Sequence, residues 1–177
     1  HKISVLSANI YKNSNLKKKI GNLSYISKIK VEKIISKFAK FQDKWIEVKN
    51  IKPIEFKNKN IFKDVQIFKD VKYKWGGKTF DGIDCSALIQ VCLNFNNRFC
   101  PRDTGQQVNF FKRNINLKNI KKNDIMNWKG HVALALSKKK LIHAYGPKKK
   151  VLIMDVRKTI ELVKRTANLK LVAIKRI

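Results

Sequence analysis

The residues with the clearest chemical potential are one cysteine, Cys85, and two histidines that follow it, His131 and His143. Cys85 begins an apolar segment and comes shortly after a glycine-rich turn. A thiol near neutral pH is mostly protonated, with an unperturbed pKa of about 8.5, so it needs a base and a helix N-terminus to become a thiolate. The three residues together therefore predict a thiol nucleophile with an imidazole base.

The segment around Cys85 predicts a helix that carries the cysteine in its first turn. Residues 81–84 look like a turn with a capping carboxylate, and apolar residues recur at helical spacing over 86–95. The helix dipole favours an anion at that position. Gly76 and Gly77 let the backbone pass close to the nucleophile without side chains in the way.

The two histidines fall on predicted strands that form a hairpin. Residues 131–136 and 141–145 are β-like runs on either side of 137–140. His131 opens the first run and His143 is central in the second, so the hairpin brings the two imidazoles near each other. One imidazole can then face the thiol while the other holds its far nitrogen in the right tautomer, the role of an acid or amide in other triads.

A structural role and a zinc site are the alternatives for these residues. A lone cysteine at a helix start is usually a small buried hydrophobe, and a lone strand histidine is usually a satisfied core group. Three cysteines and two internal histidines are available for zinc. However, there is no Cys-x-x-Cys pair, and Cys85 and Cys92 lie about two helical turns apart. We therefore expect no metal and no other cofactor. A catalytic thiol also has to stay reduced, so no disulfide framework is expected.

Six separated motifs resemble the NlpC family of cell-wall cysteine peptidases. In chain order they are Tyr73-Lys-Trp75-Gly76-Gly77, Asp84-Cys85-Ser86, Pro101-Arg102-Asp103-Thr104, Asn123-Asp124-Ile125, Gly130-His131-Val132 and Ile142-His143-Ala144. The resemblance implies a papain-like α+β fold in which the cysteine helix packs on an antiparallel sheet. It also implies cleavage of the γ-D-glutamyl bond to meso-diaminopimelate, or lysine, in peptidoglycan stem peptides.

The resemblance assigns the catalytic roles to four residues. Cys85 would be the nucleophile, His131 the base and His143 the third, orienting residue. The Tyr73 hydroxyl would lie near the thiol and help to stabilise the oxyanion with the backbone N–H of Cys85. Ala87 stands where the family usually has glycine, a difference that removes no catalytic group.

The resemblance also assigns four residues to the substrate. Asp84 and Ser86 would bind the free α-amine of an N-terminal L-Ala, and Arg102 and Thr104 would belong to the pocket for D-glutamate. A carboxylate suits an ammonium, and an arginine fork suits a carboxylate. The implied substrate is therefore a stem peptide or a free murein tripeptide.

Two other classes of function remain open. The cysteine precedes both histidines, which favours the peptidase branch over relatives of permuted order that include lipid acyltransferases. A thiol, a base and an oxyanion donor nevertheless serve any acyl transfer, so an acyltransferase or amidotransferase remains an alternative. A non-enzymatic cell-wall-binding module is the other one, although such a module would have no physical need for an intact set of catalytic residues.

The first 56 residues predict a separate β unit. Short strand-like runs recur every eight to twelve residues or so, a spacing typical of a small β-barrel; they cover 3–5, 9–11, 20–23, 28–31 and 44–48. This region resembles a bacterial SH3-like domain. We expect an SH3-like barrel over 1–56, a linker over 57–61 and the catalytic domain over 62–177. Residues 61–72 predict a short amphipathic helix that leads into the catalytic turn.

The charge balance is strongly basic, with 41 Lys and Arg against 12 Asp and Glu and a formal net charge of +29. Such a charge favours electrostatic contact with anionic wall polymer. Specific nucleic-acid binding is not expected, because only six basic residues are Arg and the lysines are scattered. Base composition of the genome explains the lysines equally well. The lysine triplets are the exception to the scatter, at 17–19, 138–140 and 148–150.

Cellular location and chain ends follow only as expectations. The chain begins with His1 rather than Met, so we expect a fragment or a processed product. No stretch is long and apolar enough for a signal peptide or a transmembrane helix. A bacterial cytoplasm, where cell-wall peptides are recycled, and the periplasm or cell envelope both fit, and a monomer is expected.

Overall fold

The computed structural model describes residues 1–15 and 18–177. Its N-terminal part is built of short antiparallel strands. These strands are β1 (Lys2–Ile3), β2 (Ser7–Tyr11), β3 (Lys19–Ser24), β4 (Lys33–Ile35), β5 (Phe38–Phe41), β6 (Lys44–Glu47) and β7 (Ile51–Lys52). Strands β2 to β6 form one sheet in the order β3-β2-β6-β5-β4, and β1 pairs with β7. Lys17, in the first lysine triplet, lies outside the described residues.

The β-rich character predicted for the first 56 residues is found, but the strand predicted at 28–31 is wrong. That segment makes one isolated bridge, between Lys28 and Lys2, and its apolar side chains pack on the core of the small sheet. The missing strands lie later, in the hairpin of β4 and β5, where Ser36 takes up a left-handed conformation at φ 51°. The five strands form an open order in the described residues, and the SH3-like identity stays a prediction.

The C-terminal part of the chain begins with a two-stranded ribbon and continues into a six-stranded sheet. Its elements are β8 (Lys78–Thr79), β9 (Gly82–Ile83), α1 (Cys85–Phe95), α2 (Thr104–Phe110), β10 (Arg113–Asn114), β11 (Ile125–Trp128), β12 (His131–Ala135), β13 (Lys140–Tyr145), β14 (Lys150–Asp155), α3 (Val156–Ala167) and β15 (Leu171–Arg176). The sheet has the order β10-β15-β11-β12-β13-β14, and every pairing in it is antiparallel. The predicted α+β class, with the cysteine helix on an antiparallel sheet, is confirmed.

Both faces of this sheet are buried, and successive side chains of a strand point to opposite faces. On β12, Val132 and Leu134 belong to the core that contains α1, whereas Ala133 and Ala135 belong to the core that contains α3. Helices α1 and α3 therefore lie on opposite faces of the sheet. The hairpin predicted between the two histidine strands is present, since β12 pairs with β13 from Leu134 onwards.

The N-terminal sheet contacts the C-terminal end of α1. The ring of Tyr25 stacks on that of Phe95 at 4.8 Å between centroids, and its hydroxyl donates to Asp64 at 3.1 Å. Lys2 is only 2% exposed, and its ammonium donates to the carbonyl oxygens of Phe95 and, at 2.7 Å, Phe56. A lysine from the N-terminal part thus satisfies a carbonyl group that the end of the helix leaves free.

The helix predicted over 61–72 is wrong in its form. Only Val65–Phe68 is helical, as a 3₁₀ turn. Five N–H groups of the stretch donate to the carbonyl three residues earlier; they belong to Lys63, Val65, Ile67, Lys69 and Val71. Asp70 then adopts φ 65°, which ends any helical path. The apolar positions nevertheless point inward, with Phe62, Val65 and Phe68 all buried. No helix in the described ranges has the length and apolar character that a membrane span requires.

Candidate active site

Cys85 is the first residue of α1, as the sequence predicts. Asp84 precedes it in an extended conformation and caps the helix, with its Oδ1 atom accepting from the N–H of Ala87 at 2.8 Å. The cysteine is buried, with 6% of its surface exposed. Because the free N–H groups of the first turn point toward it, this position stabilises negative charge on sulfur.

Burial and backbone dipoles act on the Cys85 thiol in opposite directions. Burial raises its pKa to about 11, and the nearby charge of Asp84 acts in the same direction. Hydrogen bonding from the backbone N–H groups of Val132 and Ser86 lowers the pKa and offsets part of the rise. The resting thiol is therefore protonated at neutral pH, and a base has to remove its proton during the reaction.

The two histidines predicted to meet in the hairpin do meet. Nε2 of His131 lies 3.0 Å from Nδ1 of His143, and both rings are buried. Burial lowers the pKa of His131 to about 3, helped by the neighbouring His143, and lowers that of His143 to about 4. Both imidazoles are neutral at physiological pH, which is the form that accepts a proton.

Two aromatic side chains hold the histidine pair in place. Trp128 lies 5.4 Å from His131 between ring centroids, and Tyr145 stacks on His143 at 5.1 Å with 15° between the ring planes. The Tyr145 hydroxyl is hydrogen-bonded to Thr166 of α3 at 2.5 Å. Sequence reasoning missed both rings, although each lies within three residues of a histidine.

The four residues predicted to bind substrate lie together around Cys85, in a cavity of about 480 Å³. Asp84 and Arg102 form a bidentate ion pair, at 3.0 Å and 2.5 Å, and Arg102 also donates to Ser86 Oγ at 2.9 Å. Thr104 lines the same cavity. Asp84 and Arg102, which the resemblance assigned to the substrate amine and to D-glutamate respectively, are therefore paired with each other in the structure.

Tyr73 lies in this cavity beside Cys85. Burial raises the pKa of its phenol to about 12, and the charges of Cys85 and Asp84 act in the same direction, so it stays protonated and can donate. Gly76, at φ 74°, turns the chain and donates its N–H to Asp84 at 2.9 Å. A side chain at Gly77 would place its first carbon 2.5 Å from the Gly82 oxygen, so packing requires glycine there, whereas at Gly76 the positive φ favours glycine.

The family to which these features belong is shown by sequence comparison. The sequence model of the NlpC/P60 family matches residues 70–167, more than half of the chain, including α1 and both site histidines. The chain belongs to the NlpC/P60 family.

Individual NlpC/P60 relatives match either a smaller part of the chain or most of it at lower sequence identity. Dipeptidyl-peptidase 6 of Lysinibacillus sphaericus is 36% identical over 72 residues, which are 41% of this chain and 27% of that protein. An NlpC/P60 family protein from Bacillus cereus is 17% identical, with a TM-score of 0.80 over 99% of this chain and 62% of the other. The NlpC/P60 domain of the peptidoglycan hydrolase SagA is 25% identical, with a TM-score of 0.54 over 66% of this chain and 96% of that domain.

One further residue of the NlpC/P60 site was not predicted. Gln107 is fully buried on α2, and its amide nitrogen donates to the backbone oxygens of Ser86 at 2.9 Å and Pro101 at 3.0 Å. It therefore ties the Arg102 loop to the nucleophile helix. A glutamine inside a polar helix face gives no sequence signal for this role. Within residues 1–15 and 18–177, no group of three His, Cys, Asp or Glu is arranged to hold a metal ion.

Proposed function

We propose that this chain is a cysteine peptidase that hydrolyses the γ-D-glutamyl bond to meso-diaminopimelate, or lysine, in peptidoglycan stem peptides with a free N-terminal L-Ala. The observation that carries the proposal is a buried cysteine at a helix N-terminus in one cavity with Tyr73, together with a histidine pair 3.0 Å apart. Family membership, the dipeptidyl peptidase and the peptidoglycan hydrolase among the relatives support the substrate class.

The proposed reaction has two steps. His131 takes the proton of Cys85 as sulfur attacks the γ-carbonyl carbon, and the oxyanion forms near the Tyr73 hydroxyl and the backbone N–H of Cys85. The protonated His131 then gives its proton to the leaving amine of diaminopimelate. Water attacks the thioester with His131 as base, which releases L-Ala-γ-D-Glu and restores the thiol.

The role of His143 follows from the valence of the two rings. If Nδ1 of His131 accepts the thiol proton, the hydrogen of the neutral His131 ring is on Nε2. Nε2 then donates a hydrogen bond to Nδ1 of His143 at 3.0 Å. The hydrogen of neutral His143 is then on its Nε2, a buried atom without a hydrogen-bond partner among the described residues. His143 thus fixes the tautomer of His131, as the acid or amide does in other triads.

The ion pair of Asp84 and Arg102 provides both charges that a free tripeptide requires. The Asp84 carboxylate already receives five hydrogen bonds, from Ala87, Ser86, Gly76 and twice from Arg102. A carboxylate has about four lone-pair sites, so a substrate ammonium has to displace a donor. In the proposed complex the L-Ala ammonium replaces Arg102 on Asp84, and Arg102 turns to the α-carboxylate of D-glutamate beside Thr104.

The N-terminal residues 1–56 are proposed to be an SH3-like unit that supports the catalytic domain over 62–177. The linker at 57–61 is hydrogen-bonded to the end of α1, with Asn96 accepting from the N–H of Asn58 at 2.7 Å and donating to the oxygen of Ile61 at 2.9 Å. These contacts, with Lys2 and Tyr25, hold the C-terminal end of the nucleophile helix.

The first experiment is mass spectrometry of L-Ala-γ-D-Glu-meso-diaminopimelate incubated with the chain and, in parallel, with Cys85→Ala. Release of diaminopimelate only by the intact thiol is the expected result. An N-acetylated tripeptide tests the free amine, and a lysine tripeptide tests the second diamino acid. No turnover with retained wall binding would indicate a binding module, and a product carrying an added amine would indicate transfer.

A further inference from the structure

A second cavity, of about 730 Å³, lies beyond the end of β12 that is opposite His131. It is lined by residues of the β12–β13 turn, the start of α3 and the loop before β11. His131 opens β12, and the strand and its turn continue to Lys138 at the cavity. Five strand residues span about 16 Å, and no residue that lines this cavity also lines the cavity of Cys85.

The walls of this cavity are basic. Lys118, Lys138, Lys139 and Arg157 line it, against one carboxylate, that of Asp155. In the described part of the chain, none of the four cations lies in an ion pair. Like charges brought together by three separate segments repel one another, and an anion in the cavity relieves that repulsion.

The free end of α3 is not what makes this cavity attractive to an anion. The Asp155 carboxylate already accepts from the N–H groups of Arg157 and Lys158, at 2.9 and 3.2 Å. The N–H of Val156 donates to the Lys139 oxygen at 2.9 Å. The first backbone donors of the helix are therefore occupied, and the positive potential comes from the four side chains.

The size and lining of the cavity indicate which anion it takes. A volume of about 730 Å³ is much larger than one phosphate group, and cations from three segments suit several charges along a chain. Leu117, which is 40% exposed, provides apolar surface beside the cations, and this suits short carbon units between charges. No aromatic side chain lines the cavity in the described residues, so stacking of nucleic-acid bases has no platform.

We propose that this cavity binds a phosphodiester-linked anionic polymer whose phosphates are joined by short polyol units. The cations contact the phosphates, while Leu117 contacts the carbon atoms of the polyol. The bound polymer would anchor the protein while leaving the thiol cavity accessible, because the two cavities lie at opposite ends of β12. This proposal is independent of the peptidase chemistry.

The test compares two variants of equal charge, both in the Cys85→Ala background so that no turnover intervenes. In the cavity variant, Lys118, Lys138, Lys139 and Arg157 are changed to Gln. In the control, the exposed residues Lys12, Lys30, Lys37 and Arg113 are changed to Gln. Circular dichroism confirms that both fold, which is expected because all eight side chains are exposed.

Binding of fluorescent poly(glycerol phosphate) is measured by anisotropy over a series of salt concentrations. We expect the cavity variant to lose at least about tenfold more affinity than the control variant. The slope of its log affinity against log salt concentration should be less negative than that of the Cys85→Ala parent by about three. Equal losses in both variants would overturn the proposal in favour of diffuse attraction. So would full displacement by an equal concentration of inorganic phosphate, or tighter, cavity-dependent binding of single-stranded DNA.

Discussion

Nε2 of His131 and Nδ1 of His143 lie 3.0 Å apart across a hairpin, inside a layer formed by Trp128 and Tyr145. The contact joins two groups of the same type, so the direction of the hydrogen bond depends on which nitrogen carries the proton. In the proposed mechanism the Cys85 thiol gives its proton to Nδ1 of His131, and this step decides the direction. An imidazole has to keep a free lone pair toward a thiol from which it takes a proton, and its other nitrogen is then the donor.

The orienting role of His143 predicts a loss in turnover rather than in substrate binding. His143→Ala should lower kcat by about 10²–10⁴-fold with little change in KM, because His131 loses the acceptor that fixes its tautomer. His143→Asn is the matched control, since its amide oxygen can accept the same hydrogen bond and should restore part of the rate. Steady-state kinetics on the tripeptide measure both. Equal kcat values for the Ala variant and the wild type would contradict the role.

Burial of the histidines predicts how stability depends on pH. The folded-state pKa values of about 3 and 4 lie below the usual 6.5, so the unfolded chain binds protons first as pH falls. The contribution of the neutral histidines to stability is therefore complete above about pH 6.5 and declines below it, by up to about 1.4 kcal/mol per pH unit for each histidine. Urea unfolding at pH 7, 6, 5 and 4.5 measures this decline.

The control for the pH dependence is a variant that lacks one titrating ring. His143→Asn should show a shallower decline between pH 6.5 and 4.5 than the wild type. The Cys85 thiol predicts a separate change at alkaline pH. Its pKa is raised to about 11 in the folded chain, so the unfolded chain loses this proton first and stability falls as pH rises above 9. A stability that rises as pH falls from 6.5 would show that the histidines are charged in the fold.

Local sequence patterns were enough to predict the nucleophile helix and the histidine hairpin. Apolar spacing and the capping Asp84 mark α1, which begins at Cys85, and the alternation on either side of the turn marks β12 and β13. Both signals are contained within about twenty residues. A local signal also misled: Ile29 and Val31 alternate like a strand, yet they pack on the small core without pairing.

Contacts between distant segments could not be predicted in this way. Asp84 and Arg102 are eighteen residues apart, and only the packing of α1 against the loop before α2 brings them together. Lys2 gives the opposite case, because a lysine is normally exposed. Its burial depends on where the end of α1 lies relative to the N-terminal strands, and no sequence pattern near Lys2 contains that information.

The ion pair in the substrate cavity predicts different effects for two substitutions of Arg102. Arg102→Met leaves the Asp84 carboxylate with fewer partners in a buried place and should lower the free energy of unfolding by about 1–3 kcal/mol. Arg102→Lys keeps the charge but not the bidentate fork, so stability should change less while KM for the tripeptide rises. Urea unfolding and kinetics separate the two. Unchanged KM in both variants would exclude contact between Arg102 and the substrate.

Lys2 predicts a stabilising role for a cation at the C-terminal end of α1. Lys2→Met keeps most of the side chain but leaves the oxygens of Phe95 and Phe56 without this donor, so the free energy of unfolding should fall by about 1–3 kcal/mol. Lys28→Met is the control at an exposed site, where changes within about 0.5 kcal/mol are usual. Equal values for both variants would show that water replaces the ammonium.

Tyr73 tests the oxyanion hypothesis most directly, because its hydroxyl can be removed without changing the ring. Tyr73→Phe keeps the contact of the ring with the turn at Gly146 and should leave the unfolding free energy unchanged. If the hydroxyl donates to the oxyanion, kcat should fall by about 10²–10³-fold with KM nearly constant, since that hydrogen bond forms only in the transition state. Tyr145→Phe is the matched control, because it removes a phenol hydroxyl that is bonded to Thr166, from a residue that does not line the thiol cavity. It should lower stability by about 1 kcal/mol and leave kcat within a few-fold of the wild type. A rise in KM for Tyr73→Phe with unchanged kcat would place the hydroxyl on the bound substrate instead of the transition state.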